Sequence, residues 1–226
     1  MVGAVDTPDY GLSAAAPPQR LAVVASAFVH GDAGASVACA FPAGGLAGDT
    51  AVLVASVARN AVGLLAVPAG WTAISNHQAA DAPTYSNLLV ARIPWAPGLA
   101  PVVVTPNNIG YSILMLIIRG ATVSVPYEVQ YGPGIATVQL EGPVVDQLPA
   151  LVLYVVSDEK AILQQQPLGF GTTQLVLNGQ TPTGAGWGGL NAGYLVTNVF
   201  GAGPLVTMTY NGGTTANCVC TVAFSA

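Results

Sequence analysis

The stretch "GDTAVLVASVARNAVGLLAVPAGWTAI" (residues 48–74) decides the reading of the fold. It opens with a β-branched, alanine-rich run too short and too punctuated for a long helix, and it closes on a Pro-Ala-Gly-Trp turn before another apolar run. It also recurs. "LPALVLYVVSDEKAILQQQPLGFGTTQ" (148–174) has the same order, with Pro167-Leu168-Gly169-Phe170 lying over Pro68-Ala69-Gly70-Trp71. Further on, "NLLVARIPWAPGLAPVVVTPNNIGYSILMLIIRG" (87–120) is echoed by "GYLVTNVFGAGPLVTMTYNGGTTANCVCTVAFSA" (193–226), which sets Trp95 over Phe200 and Pro101 over Pro204. Two stretches with one strand order imply a β unit used twice, whose apolar faces bury each other as a two-layer antiparallel sandwich or jelly roll. In that arrangement Trp71 and Phe170 are equivalent core plugs behind tight turns.

The rest of the chain fits the same plan. Its 27 glycines and 17 prolines fall between short β-branched runs and do not gather in one linker, which is the punctuation of an all-β domain. The expected strands cover 20–29, 36–41, 50–58, 86–94, 101–106 and 111–119, then 136–142, 150–157, 173–179, 193–200, 205–210 and 217–224. One helical turn is expected over "DEKAILQQQ" (158–166), with Asp158 as its N-cap. The domain reading is an extended N-terminal arm (1–19) followed by one sandwich (20–226), its halves meeting near residue 120.

Composition narrows the function classes. Charged residues make up 7% of the 226, against roughly 25% in an average soluble domain, so the surface is covered mainly by small polar and apolar side chains. The net charge of −5 comes from ten acids and five bases scattered singly. No basic stripe is present to displace counterions from phosphate, which argues against nucleic acid as a partner. The longest apolar run, "ILMLII" (113–118), is far short of the roughly 20 residues that cross a bilayer, so no membrane span is expected. The first residues carry Asp6 and Asp9 and no early positive charge, unlike a signal peptide.

Catalytic patterns are missing from the sequence. It has no Gly-x-Ser-x-Gly elbow and no His-Glu-x-x-His, and His30 and His77 stand apart from any Ser and acid at a recognisable spacing. "GAGWGG" (184–189) matches Gly-x-Gly-x-x-Gly but precedes a strand with no helix after it, whereas a dinucleotide loop needs strand, turn and helix. Asp158-Glu159 is an isolated acidic pair that reads as solvated and not as a calcium site. The expectation is therefore a protein without enzyme activity, cofactor or metal. Cys218 and Cys220 are two apart and face one side of a strand, Cys39 sits in another, and three buried free thiols are expected.

Two regions have no core role. "MVGAVDTPDYGLSAAAPPQ" (1–19) lacks any period, so it is expected to dock on a partner, with Val2, Val5, Tyr10 and Leu12 as its anchors. "NGQTPTGAGWGGLNAG" (178–193) reads as a glycine-rich loop carrying Trp187, a further contact candidate.

"FPAGGLAGDTAVLVASV", then "PAGWT", "NLLVARIPWAPG" and "YSILMLIIRGA" together resemble the β-sandwich structural proteins of tailed bacteriophage virions. Those read as a Gly-Asp-led strand, a Pro-Ala-Gly-Trp-Thr turn and an alternating strand closing on Arg-Gly. The resemblance spans roughly residues 20–226, with "GFGT" (169–172) departing from Gly-Trp-Thr in the second half. It implies a capsid decoration or cement subunit that binds the outer head surface, assembled in the host cytoplasm. Its partners would be the major capsid protein and further copies of itself, arranged as a homotrimer. The alternative within the same resemblance is a tail or fibre module that binds a host receptor or glycan. No catalytic residue follows from it.

Overall fold

The computed structural model describes residues 20–32, 36–59, 63–81, 84–104, 110–121, 123–131, 137–160, 173–176, 187–209 and 217–226. The described residues form fourteen strands and no helix. In chain order these are β1 (Ala22–Asp32), β2 (Val37–Cys39), β3 (Thr50–Arg59), β4 (Thr72–Asp81), β5 (Thr84–Pro94), β6 (Val102–Val104) and β7 (Gly110–Arg119), then β8 (Val123–Tyr131), β9 (Thr137–Val145), β10 (Ala150–Lys160), β11 (Thr173–Val176), β12 (Trp187–Thr197), β13 (Gly201–Thr209) and β14 (Asn217–Ser225).

Two five-stranded antiparallel sheets pack face to face, in the orders β1-β7-β3-β5-β4 and β11-β12-β10-β14-β8. Read from the other side, the second order is the first with seven added to every strand number. The small pairs β2-β6 and β9-β13 obey the same rule, one on the outer face of each sheet. The all-β sandwich expected from the sequence is thus the observed architecture.

Burial on both faces explains why the central strands read as continuous apolar runs. On β3, Val52 and Val54 point between the sheets while Ala51, Leu53, Ala55 and Val57 point outward, under β2-β6. On β10, Leu151, Leu153 and Val155 face inward, and Val152, Tyr154 and Val156 lie under β9-β13. The alternation is the ordinary two-residue period of a strand, and each fully buried Leu or Val is worth about 1.5–3 kcal/mol over its exposed state. The result is a four-layer stack with three apolar seams. Thr221 on β14 helps hold the outermost layer, donating its hydroxyl to Glu141 O of β9 at 2.6 Å.

The middle seam has a polar knot. Ser56 Oγ donates to Gly189 O on the opposite sheet (2.8 Å) and lies 2.7 Å from Ser157 Oγ. Ser157 Oγ in turn lies 2.9 Å from Ser86 Oγ and 3.3 Å from Asn87 O. The three buried hydroxyls satisfy one another and two backbone carbonyls across the sheet gap, as buried polar groups must. They also fix the stagger of one sheet on the other, because a slip of either would strand hydroxyls in an apolar seam.

The structure corrects two expectations. The helical turn begun at Asp158 is absent over Asp158–Lys160: β10 continues through these residues, with Asp158 opposite Gly189 and Asn217 and Lys160 opposite Trp187. Ladder pairing on both sides outweighs the weak helix propensity of so short a segment. Residues 161–166 lie outside the described residues. Likewise the glycine-rich stretch ends sooner than expected, because Trp187 to Gly193 already pair with β10 as part of β12. Two strands, β4 and β8, were not among those expected.

Candidate functional site

One end of the sandwich gathers most of the sequence motifs. The Pro68-Ala69-Gly70-Trp71 segment is a tight turn there. Trp71 N–H donates to Pro68 O at 3.1 Å, and Gly70 takes φ +82°, a left-handed conformation that disfavours any side chain. The turn delivers Trp71 to the head of β4. Its ring stacks on Phe41 with centroids 6.1 Å apart and planes inclined by 14°.

Trp71 is half-buried, packed on the outer seam of the first sheet rather than enclosed by it. It lines a pocket of about 330 Å³ with Phe41, Ile93, Leu99, Pro101 and Val103. The lining side chains are all apolar and carry no titratable group. Such a pocket can hold an apolar side chain; it supplies no proton donor or acceptor for chemistry.

A polar lock stands beside it. The Asp49 carboxylate is 1% exposed. It accepts from Leu46 N–H at Oδ2 (2.8 Å), from Arg119 Nη2 at Oδ2 (3.2 Å) and from Arg119 Nε at Oδ1 (3.3 Å). Arg119 Nη2 also donates to Gly44 O at 3.2 Å. The Asp49 backbone contributes as well, accepting Trp95 N–H at 2.8 Å. The Gly-Asp and Arg-Gly pairs of the sequence are thereby one device: they clamp the 40–49 linker over the end of the sheet. Trp95 lies beneath it, so close that a Cβ on Gly45 would come within 2.6 Å of the indole. A second hollow of about 410 Å³ opens between the sheet ends, lined by Asp49, Thr50, Thr72, Arg92 and Ala121.

The corresponding corner of the other sheet is different. Val199 (70% exposed), Phe200 (65%) and Val144 (65%) stand in solvent with Ala202 and Leu205 around them. Val144 and Ala202 are cross-strand partners and Val145 pairs Gly201, so these side chains form one patch. Phe200, set over Trp95 by the sequence echo, has no equivalent cover among the described residues.

Elsewhere, His77 of β4 meets Glu128 of β8 in an ion pair that bridges the two sheets at one edge. Sequence reading missed it because both strands are polar and neither was expected. The free thiols of Cys39, Cys218 and Cys220 are buried, the latter two on one face of β14 as their spacing requires. Burial pushes Cys218 and Cys220 up to about 12 and raises Cys39 as well, so all three are inert thiols at neutral pH. Among the described residues no three His, Cys, Asp or Glu side chains gather to hold a metal ion. The expected arm anchors Val2, Val5, Tyr10 and Leu12, and the expected plug Phe170, lie outside the described residues. Trp187 is placed by its backbone, at the start of β12.

Comparison of the chain with protein-family models, curated proteins and solved structures returned no match.

Proposed function

We propose that this chain is a structural subunit of a tailed-bacteriophage virion that decorates the outer surface of the head and reinforces it. The observation that carries this reading is the uncovered apolar corner around Val144, Val199, Phe200 and Leu205, on a chain of which only 7% is charged. A soluble monomer gains nothing from a contiguous apolar patch, whereas a subunit that is covered in an assembly does. Support comes also from where the polar chemistry is used. The serine knot and the Asp49–Arg119 lock both stiffen the sandwich, and stiffness is what a cementing subunit contributes to a shell under internal pressure. The Trp71 pocket favours this reading over the receptor-binding alternative, since sugar recognition needs several hydrogen-bonding side chains and the only one in its lining is the Trp71 indole N–H.

On this reading the partners are the major capsid protein and further copies of the chain, and residues 1–19 are the tether. The test mixes purified protein with particles lacking it and measures bound copies by sedimentation, then particle survival on heating. Saturable binding and a raised disruption temperature are expected, both lost on deleting residues 1–18. A full-length protein that neither binds nor protects such particles refutes the proposal.

A further inference from the structure

The two sheets differ at one corner, and the difference creates an interaction surface. After β5 the chain turns through Trp95, which lies beneath the ten-residue linker between β2 and β3. After β12 it turns through Phe200, but the linker between β9 and β10 is only Asp146 to Pro149, four residues. The cover that hides Trp95 has no counterpart long enough to hide Phe200, so the ring projects with Val199 and Val144 beside it. On the opposite outer face the same molecule carries a concave site of matching chemistry, the apolar pocket between Phe41, Trp71, Leu99 and Val103.

Charge orders the two surfaces. Residues 20–120 hold four arginines against three aspartates, while residues 121–226 hold one lysine against five carboxylates. Locally, Phe200 has Asp146 at its side, the two flanking the Val145–Gly201 pair, with Glu141 further along β9. The residues that line the Trp71 pocket carry no charge, and Arg92 beside it faces the other way, between the sheets. A patch rimmed by acids meeting its own copy would set like charges together; meeting the pocket, on the less acidic half of the chain, it sets them against an uncharged lining.

We propose that the Val199–Phe200 knob of one copy seats in the Phe41–Trp71 pocket of the next, a head-to-tail contact between copies of this chain. Knob and pocket lie on opposite faces of the sandwich, so each copy has one of each to offer. Such a contact closes into a ring if the rotation between copies allows, and the trimer of the virion reading is one such ring. The contact needs only a second copy and rests on that reading for the ring size alone.

Two exposed positions test it without disturbing the core. Phe200→Asp destroys the knob and leaves the pocket; Val103→Asp, at a solvent-facing position on the pocket rim, does the reverse. Sedimentation equilibrium at micromolar concentration should show the unaltered chain as an oligomer and each variant alone as a monomer, with self-association weakened about thirtyfold or more. Thermal melting should show both variants folded. A mixture of the two variants retains one intact knob and one intact pocket, so it should form one-to-one heterodimers. A monomeric unaltered chain overturns the proposal, as does oligomerisation of Val103→Asp at full strength, which would mean knob-to-knob pairing. A mixture that stays monomeric also overturns it. None of these outcomes bears on particle binding, which judges the virion reading separately.

Discussion

Replacing Arg119 with Ala tests the physical account of the lock. The substitution removes two of the three donors that the Asp49 carboxylate uses, at 3.2 and 3.3 Å, and leaves only Leu46 N–H. Breaking a buried pair by deleting one partner costs about 3–5 kcal/mol, because the surviving charge is left without compensation. The carboxylate itself is shielded, but the Arg119 side chain is 28% exposed, so water can enter where the guanidinium was. The cost is therefore placed lower, at about 2–3 kcal/mol. For a chain of this length that is a fall of roughly 5–10 °C in melting temperature. Asp49→Asn should cost less, about 1–2 kcal/mol, since the orphaned guanidinium can turn to solvent. The double variant should be milder than the sum, with a coupling of about 1–2 kcal/mol in a double-mutant cycle. Urea denaturation with an unchanged slope gives these numbers directly. An Arg119→Ala protein within about 0.5 kcal/mol of the unaltered chain would refute the reasoning, because surface substitutions lie in that range.

Three further outcomes follow from the same geometry. Ser157→Ala removes the hub of the hydroxyl knot and should cost about 1–3 kcal/mol, while alanine at Ser56, Ser86 and Ser157 together should cost less than the three single losses summed, because no hydroxyl is then left without a partner; a strictly additive triple variant would contradict the knot. The Cys218 and Cys220 thiols are raised from 9.0 to about 12 by burial, so the unfolded chain sheds their protons first: stability should be level below pH 9 and fall as pH climbs from 9 toward 12. Tyr154, raised in the same sense, adds to that fall, and a Cys218→Ala/Cys220→Ala chain should show a shallower alkaline slope in urea midpoints. Trp71→Ala should cost about 2–3 kcal/mol, less than the 3–5 of an enclosed aromatic, because the ring is half-buried; a loss of 4 or more, on the order of a full core deletion, would mean the indole is a true plug.

The fold was legible where strands are buried on both faces and obscure where they are not. β3, β7 and β10 read as apolar runs because both of their faces meet apolar seams, and their boundaries were close to those observed. β4 ("TAISNHQAAD") and β8 ("VSVPYEVQY") escaped notice because they are edge strands: one side is wet, and Pro126 at a sheet edge reads as a breaker. The sequence echo could not show that one linker is six residues shorter and leaves Phe200 bare. Asp49 and Arg119 stood out as motif residues, but a contact across seventy positions leaves no local period. The serines of the knot leave no sequence signal for the same reason, since each one's partner lies in a strand far along the chain. Trp71 was expected in the core and stands at its margin, on a pocket that only the loops of residues 41 and 99–103 could create.

The claim that this chain works by assembling is tested most directly by weighing it in its particle. On the proposed virion reading, quantitative mass spectrometry of purified particles that carry it would give its copy number relative to the major capsid protein. A head decoration subunit should be present in fixed proportion to the capsid lattice and be released from the outer surface before the shell opens. Its absence from the particle would contradict the account, and a handful of copies confined to the tail would move it to the receptor-binding alternative.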